Sequence, residues 1–379
     1  MICRRLTCVW GNLRFRKCFL EHQSGCVMPE STLKSERLGE LESGHRKATL
    51  TDVAQLSGVS ASTVSRVLNG YTEGFSVKPK VRRAVLEAVD RLGYKANRSA
   101  KAMRSKRTGV IAVLGLQYDQ DGVAFGTDVQ IIHHMASGLR QSDLELCHYF
   151  GSGLEEPYGL PDWPVDGACA LNLCQDEDVQ RIEQAGVPYV SINGLAGPNG
   201  VSVLVDDQLG SKLAVDHLVS LGHERIAYIM ESSWNNVHPS VQARRQGYAL
   251  AMQAHNLPLM PTWDQTYDMI EEAVAEAYEN RCTALLVYSH YTALVVLKYA
   301  HEIGMRIPDD MSLICFNDRF PVNHTTPKLT AIALPYKEMA DVASEMITNA
   351  ISQKPGNIQS IQIKPELIVR DSTIAPAGL

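Results

Sequence analysis

Between Thr49 and Asn69 the chain gathers hydroxyl and amide side chains around a single arginine, Arg66, with the small residues Ala61 and Ser62 one turn before it. These groups suit recognition rather than bond breaking. Hydroxyls and amides share hydrogen bonds with phosphate oxygens, and a guanidinium can reach a guanine edge or a phosphate. A solvated surface cation is the plain alternative for Arg66, so the pattern around it has to decide. No catalytic constellation emerges: there is no Gly-x-Ser-x-Gly elbow, no phosphate-binding glycine loop, and no paired nucleophile and base. His217 and His223 are read as packing or capping residues. The nine cysteines lack CxxC or Cys/His spacing, so neither a metal site nor a cofactor is expected.

The elements that must carry Ala61 to Arg66 are helical. Thr49 followed three residues later by Asp52 is a capping-box-like start, and Val53, Ala54 and Leu56 supply an apolar face. Gly58 ends that helix and Ser60 caps the next. This second helix buries Val64, Val67 and Leu68 and leaves Ala61, Ser62, Ser65 and Arg66 on its other side. Small residues at its start let a backbone approach the major groove. A third helix opens at Pro79 and runs to Leu92, with Val81, Val85, Ala88, Val89 and Leu92 facing the core. Charge agrees with this division. Met1 to Arg107 holds 21 Lys and Arg against 9 Asp and Glu, a balance of +12, while the rest of the chain carries −18. A basic head on an acidic body fits polyanion binding, although a merely soluble basic tail would look the same by charge alone.

Thr49-Leu50-Thr51-Asp52-Val53-Ala54, Gly58-Val59-Ser60 and Thr63-Val64-Ser65-Arg66-Val67-Leu68-Asn69, continued by Leu92-Gly93-Tyr94 and Asn97, closely resemble the lactose-repressor (LacI/GalR) family of bacterial regulators. The resemblance implies that Thr49, Ser60, Thr63 and Asn69 touch phosphates of double-stranded operator DNA, while Ala61, Ser62 and Arg66 face base edges. It also implies that the basic segment 96–107 is a hinge helix. Asn97, Ala100, Met103 and Arg104 would enter the minor groove, with Met103 as the wedge. A flexible basic linker is the alternative. The loop from Tyr71 to Ser76 is longer than usual for the family, and Lys78 stands where a capping serine is common.

From Gly109 onward, apolar runs alternate with amphipathic helices, as at Ala168 to Leu173, Tyr189 to Ile192, Val201 to Val205, Arg225 to Met230, Ala284 to Val287 and Ser312 to Phe316. Such alternation predicts parallel sheets covered by helices, with ligands beyond the strand ends. In the helix predicted from Gln208 to Leu221, Leu209, Leu213, His217 and Leu221 share one face. Val205-Asp206-Asp207, Leu221-Gly222-His223, Phe316-Asn317-Asp318 and Leu367 to Thr373 extend the resemblance. They imply a two-lobed, periplasmic-binding-protein-like α/β effector domain behind the all-α helix-turn-helix head. By the resemblance Tyr118, Asp119, Asn193, Arg244 and Asn317 would line its effector cleft, where an arginine and amide side chains match the oxygens of a polyol or another oxygen-rich small molecule; a strand-end turn is the competing reading of Asn317 and a surface ion pair that of Arg244. The Gln117 to Asp121 loop and Ser289-His290 depart from the family pattern near that cleft.

The expected organisation is therefore a disordered extension over 1–46, a head over 47–95, a hinge over 96–107 and a two-lobed effector-binding and dimerisation domain over 108–379. Residues before about 45 can also be read as sequence upstream of a later start such as Met28. No apolar run approaches the roughly 18 residues of a membrane span, so no membrane partner is expected. Scattered cysteines suit a reducing cytoplasm, here that of a bacterial nucleoid-associated protein. The function expected is repression as a homodimer, or a tetramer, under control of a sugar or related polyol. An effector-blind regulator with a vestigial sensor is the main alternative. A secreted sugar-binding transport protein would carry a signal peptide and no such head. Met103→Gly should weaken operator binding and bending, measured by gel shift and bend-angle assays, and leave effector binding intact; unchanged affinity and bend would remove the wedge.

Overall fold

Thr49 begins the first helix in the way its neighbours require. Its side chain accepts from the Asp52 N–H at 3.3 Å, and the Asp52 carboxylate accepts from the Thr49 N–H at 2.7 Å. Helix α1 spans Leu50–Ser57 and stops at Gly58, whose φ of +68° is a left-handed conformation that glycine adopts without penalty. α2 (Ala61–Asn69) and α3 (Pro79–Leu92) complete the head. Val53, Ala54, Val64, Val67, Val85 and Ala88 form its core. Leu56, expected on the buried face, is 46% exposed, and Leu68, Val81, Val89 and Leu92 are only half-buried. Three short helices enclose little volume, so only their innermost positions are covered.

The computed structural model describes residues 48–69, 77–95, 102, 107–116, 126–148, 158–231, 238–265, 269–352 and 360–377. It divides into two units, one ending at Ala96 and the other beginning at Asn97. The second unit contains two lobes. The first lobe opens with β1 (Val110–Leu114), α4 (Gly126–Leu139) and β2 (Glu145–His148). It continues through β3 (Gly167–Leu171), α5 (Asp176–Gln184), β4 (Tyr189–Ile192) and β5 (Gly200–Val205). The chain then crosses to the second lobe at Asp206. There it builds α6 (Asp207–Ser220), β6 (Ile226–Glu231), α7 (Pro239–Ala254), β7 (Thr262–Gln265) and α8 (Ile270–Glu279). β8 (Ala284–Val287), α9 (His290–Ile303), β9 (Ser312–Phe316) and β10 (Thr330–Ala333) follow. It returns for α10 (Tyr336–Ile351) and β11 (Ser360–Ile363), then crosses again to β12 (Glu366–Ile368).

Each lobe is a six-stranded sheet. The orders are β11-β5-β4-β3-β1-β2 and β12-β10-β9-β8-β6-β7. Setting aside β11 and β12, both have the doubly wound order in which the strand sequence reverses beside the first strand of the lobe, and that reversal opens a crevice at the carboxyl ends. All pairings are parallel except β10 with β12, which the expectation of parallel sheets did not include.

The strands read from apolar runs begin and end within about two residues of those expected. Four of the strands that no such run announced, β2, β7, β11 and β12, are only three or four residues long and interrupted by polar residues; β10 is a four-residue strand. The expected face of α6 needs correction. Gly210, Ser211, Ala214, Val215 and Leu218 are buried, whereas Leu209, Leu213, His217 and Leu221 are only half-buried. Small residues face inward because α7 packs close: a Cβ at Gly247 would lie 2.6 Å from the Gln208 backbone. Leu218→Ala should therefore cost about 2–5 kcal/mol in chemical denaturation, and Leu209→Ala distinctly less.

Candidate functional site

In the head, α2 separates its faces cleanly. Val64 and Val67 are buried, while Ser62 and Arg66, four residues apart, are exposed. The Ser60 hydroxyl accepts from the Thr63 N–H at 3.3 Å and shares hydrogen bonds with the hydroxyls of Ser62 at 2.8 Å and Thr63 at 2.9 Å. No acidic residue stands in the first turn of α2, so its positive end is not neutralised from within the helix. Thr49 is engaged in its capping box, with Ala61 and Thr63 half-buried beside the exposed pair. Asn69 closes α2. The Tyr71 to Ser76 loop and the hinge positions Asn97, Ala100, Met103 and Arg104 lie outside the described residues, as do Tyr118 and Asp119.

The second unit carries a cleft between its lobes, with about 670 Å³ of empty space that is partly open to solvent. Its lining comes from strand ends and helix starts. Asn172, Asn193 and Asn317 directly follow β3, β4 and β9, and each has positive φ, at 53°, 55° and 70°. Asparagine tolerates this conformation better than most residues, which lets each strand turn sharply at the cleft. Gly126 at the start of α4, His238 before α7, and Ser289 and His290 at the start of α9 complete the frame. Three helix N-termini thus meet one cavity.

Arg244 is a buried residue, only 5% exposed. Its Nε donates to Asp207 at 2.7 Å and a terminal nitrogen donates to the Tyr288 carbonyl at 2.7 Å. The guanidinium carbon lies 4.1 Å from the Phe316 ring centre and 4.7 Å from that of Tyr288. Burial is the largest influence and opposes its charge, but the Asp207 carboxylate together with Tyr288 and Tyr228 outweighs it and raises its pKa. The surface ion pair considered from sequence is thus replaced by a buried one. Asn172 donates its amide to Asp128 at 3.1 and 3.3 Å. His238 caps α7 by accepting from the Ser240 N–H at 3.2 Å, and Ser240 shares a hydrogen bond with the Tyr288 hydroxyl at 2.8 Å. Among the described residues, the Nδ1 of His290 and the Oδ1 of Asn317 are buried without a hydrogen-bond partner. A buried polar atom left this way commonly marks a place for a ligand or a water.

Residues 49–97 match the model of the bacterial regulatory proteins of the lacI family, and residues 215–373 match that of the periplasmic binding protein-like domain. The HTH-type transcriptional regulator CelR of Thermobifida fusca is 29% identical over 341 residues, 86% of this chain and 98% of the relative. Catabolite control protein A of Priestia megaterium is 27% identical over 343 residues, 86% and 99% of the two chains. The chain belongs to the LacI family. It is a DNA-binding transcriptional regulator, not an enzyme. Among solved structures, a CelR–cellobiose complex covers 86% of this LacI-family chain and all of its own, at 27% identity and a TM-score of 0.62. A lac repressor dimer bound to operator, at 23% identity, covers 87% and 100% with a TM-score of 0.70 and shares the fold.

Of the positions read as effector contacts, Asn193, Arg244 and Asn317 fall in this regulator's cleft together. Sequence reasoning missed Asp128, Asn172, His238, Ser240 and Tyr288, and noticed Ser289-His290 only as a departure. Position at the end of a buried strand was the usable signal for Asn172 and Tyr288. Asp128, His238 and Ser240 start helices beside segments that carry no apolar run, so nothing local marked them. His217 and His223 do prove structural, bonding Thr373 at 3.0 Å and Thr283 and the Ile374 carbonyl, each at 2.8 Å. No group of metal-binding side chains occurs among the described residues.

Burial, reinforced by Arg319 and Arg244, lowers His290 to about 4; burial with Arg244 does the same to His238. The folded state therefore binds fewer protons than the unfolded chain between pH about 6.5 and 4. Stability should hold above pH 6.5 and fall as the pH drops through that window. His290→Gln should flatten the fall, read from denaturation midpoints across pH 7 to 4.5; an equally steep profile would contradict the burial of a neutral imidazole.

Proposed function

We propose that this regulator is a repressor that binds a palindromic operator as a homodimer and changes its DNA affinity when a sugar-like effector occupies the cleft. The carrying observation is the exposed Ser62–Arg66 edge of α2, backed by buried Val64 and Val67 and starting at an uncompensated helix end. On this reading Ala61, Ser62 and Arg66 meet base edges, and Thr49, Ser60, Thr63 and Asn69 meet phosphates. Phosphate contacts set register while base contacts set sequence. Asn97, Ala100, Met103 and Arg104 serve the hinge of 96–107, between a head over 47–95 and a sensor over 108–379. One head covers only a half-site, so paired heads and a palindrome go together. No helix among the described residues is long and apolar enough to cross a membrane, and a cytoplasmic place beside the nucleoid is consistent with that.

For the sensor, a related regulator has been solved with cellobiose. The buried, unpartnered Nδ1 of His290 and Oδ1 of Asn317 support a working cleft over a vestigial one. Asn193 and Asn317 would bind hydroxyls, with Arg244 held in place by Asp207. Selection of bound duplexes from a random pool tests the DNA half. Arg66→Ala should cost about 1–3 kcal/mol and relax one base position, while Thr63→Ala should weaken all sequences alike. A purified protein that prefers no duplex over random competitor at moderate salt would end this reading.

A further inference from the structure

Arg319 lies on the loop after β9, two residues beyond the cleft residue Asn317. Its guanidinium reaches the other lobe. A Cβ built at Gly126 would lie 2.3 Å from one of its terminal nitrogens and 3.2 Å from its Nε, so the arginine tip occupies the space where any other side chain at Gly126 would stand. Its guanidinium carbon is 5.7 Å from the ring centre of Tyr336, at the start of α10. Among the described residues its guanidinium has neither an ion pair nor a hydrogen bond.

The charges of the cleft then separate. Arg244 is matched by Asp207 at 2.7 Å. The one carboxylate among the described lining residues, Asp128, is held by the Asn172 amide and suits hydroxyl donors. Among the described residues Arg319 remains as a cation without an anion, beside the first turn of α4. Near it are three buried polar atoms without partners among the described residues: Nδ1 of His290, Oδ1 of Asn317 and the Tyr336 hydroxyl. His290 is only 6% exposed and lines the cavity, so the partner of its Nδ1 comes from what fills the cavity, a ligand or an ordered water, and not from bulk solvent. A neutral polyol would satisfy Asn317 and Asp128 but leave the guanidinium unmatched. A ligand bearing both hydroxyls and one acidic group would match all of them, through charge-assisted hydrogen bonds at one end.

We propose that the effector is an anionic sugar, a sugar acid or a sugar phosphate, whose negative group is held by Arg319 beside Gly126 while its hydroxyls meet Asp128, His290 and Asn317. This rests on the cleft being the effector site.

The test is calorimetric titration of the full-length protein without DNA, using uronates and aldonates, hexose 6-phosphates, and the neutral parent hexoses. At least one anion should bind about tenfold or more tightly than its neutral parent, roughly the weight of one charge-assisted contact. The carboxylate and phosphate arms identify which acid is read. Arg319→Gln should erase the preference and leave the parent's affinity within about twofold. Gly126→Ala, which displaces the arginine tip without altering charge, should do the same, and a retained thermal transition shows that both variants fold. If neutral hexoses bind as tightly as their acids, or both variants keep the preference, the assignment of Arg319 is wrong although the sensor stands. If no panel member binds and none changes operator affinity, the sensor reading falls with it.

Discussion

The buried pair between Arg244 and Asp207 is the interaction on which the second lobe depends. It joins the start of α6 to the start of α7, and through the Tyr288 carbonyl it fixes the end of β8 as well. Two charges taken out of water are costly, and losing either would leave the other stranded at several kcal/mol. The surroundings answer that cost with the Phe316 and Tyr288 rings on the guanidinium and with close approach of α6 and α7 at Gly247. The same pair sets the electrostatics of the cleft. By matching Arg244 internally it leaves a polar wall with little net charge, against which any further cation stands out.

The head is governed by a smaller constraint. Its core consists of six buried residues from three helices, and this suffices because both ends of α1 are closed by local chemistry: a capping box at Thr49 and a left-handed glycine at Gly58. The rigidity of that frame fixes where α2 holds the exposed side chains of Ser62 and Arg66.

Much of this was legible in the sequence. Gly58, Ser60 and Pro79 marked helix ends through backbone chemistry that does not depend on the rest of the fold, and runs such as Ser312 to Phe316 could only be buried strands. Asn193, Arg244 and Asn317 were recognised as neighbours through resemblance and converge on one cavity. The errors have a common cause. Leu56 and Leu209 were assigned inward because they are apolar, but burial on a helix is decided by what packs against it, and α6 turns Gly210 and Ala214 to its neighbours because bulk would not fit. The edge strands β2, β7, β11 and β12 were invisible because an edge needs few apolar side chains. Asp128, His238 and Arg319 enter the cleft region through tertiary placement, which no local periodicity records.

The path of the chain between the lobes has a mechanical consequence. Polypeptide passes from one lobe to the other at Asp206, between β10 and α10, and between β11 and β12, and the first and last of these passages are tied by the Asp206 N–H donating to the Ile363 carbonyl at 2.9 Å. Three connectors side by side resist sliding and twisting far more than folding about the line that joins them. The lobes are thus left with essentially one soft coordinate, and a molecule wedged between them has a single lever to pull.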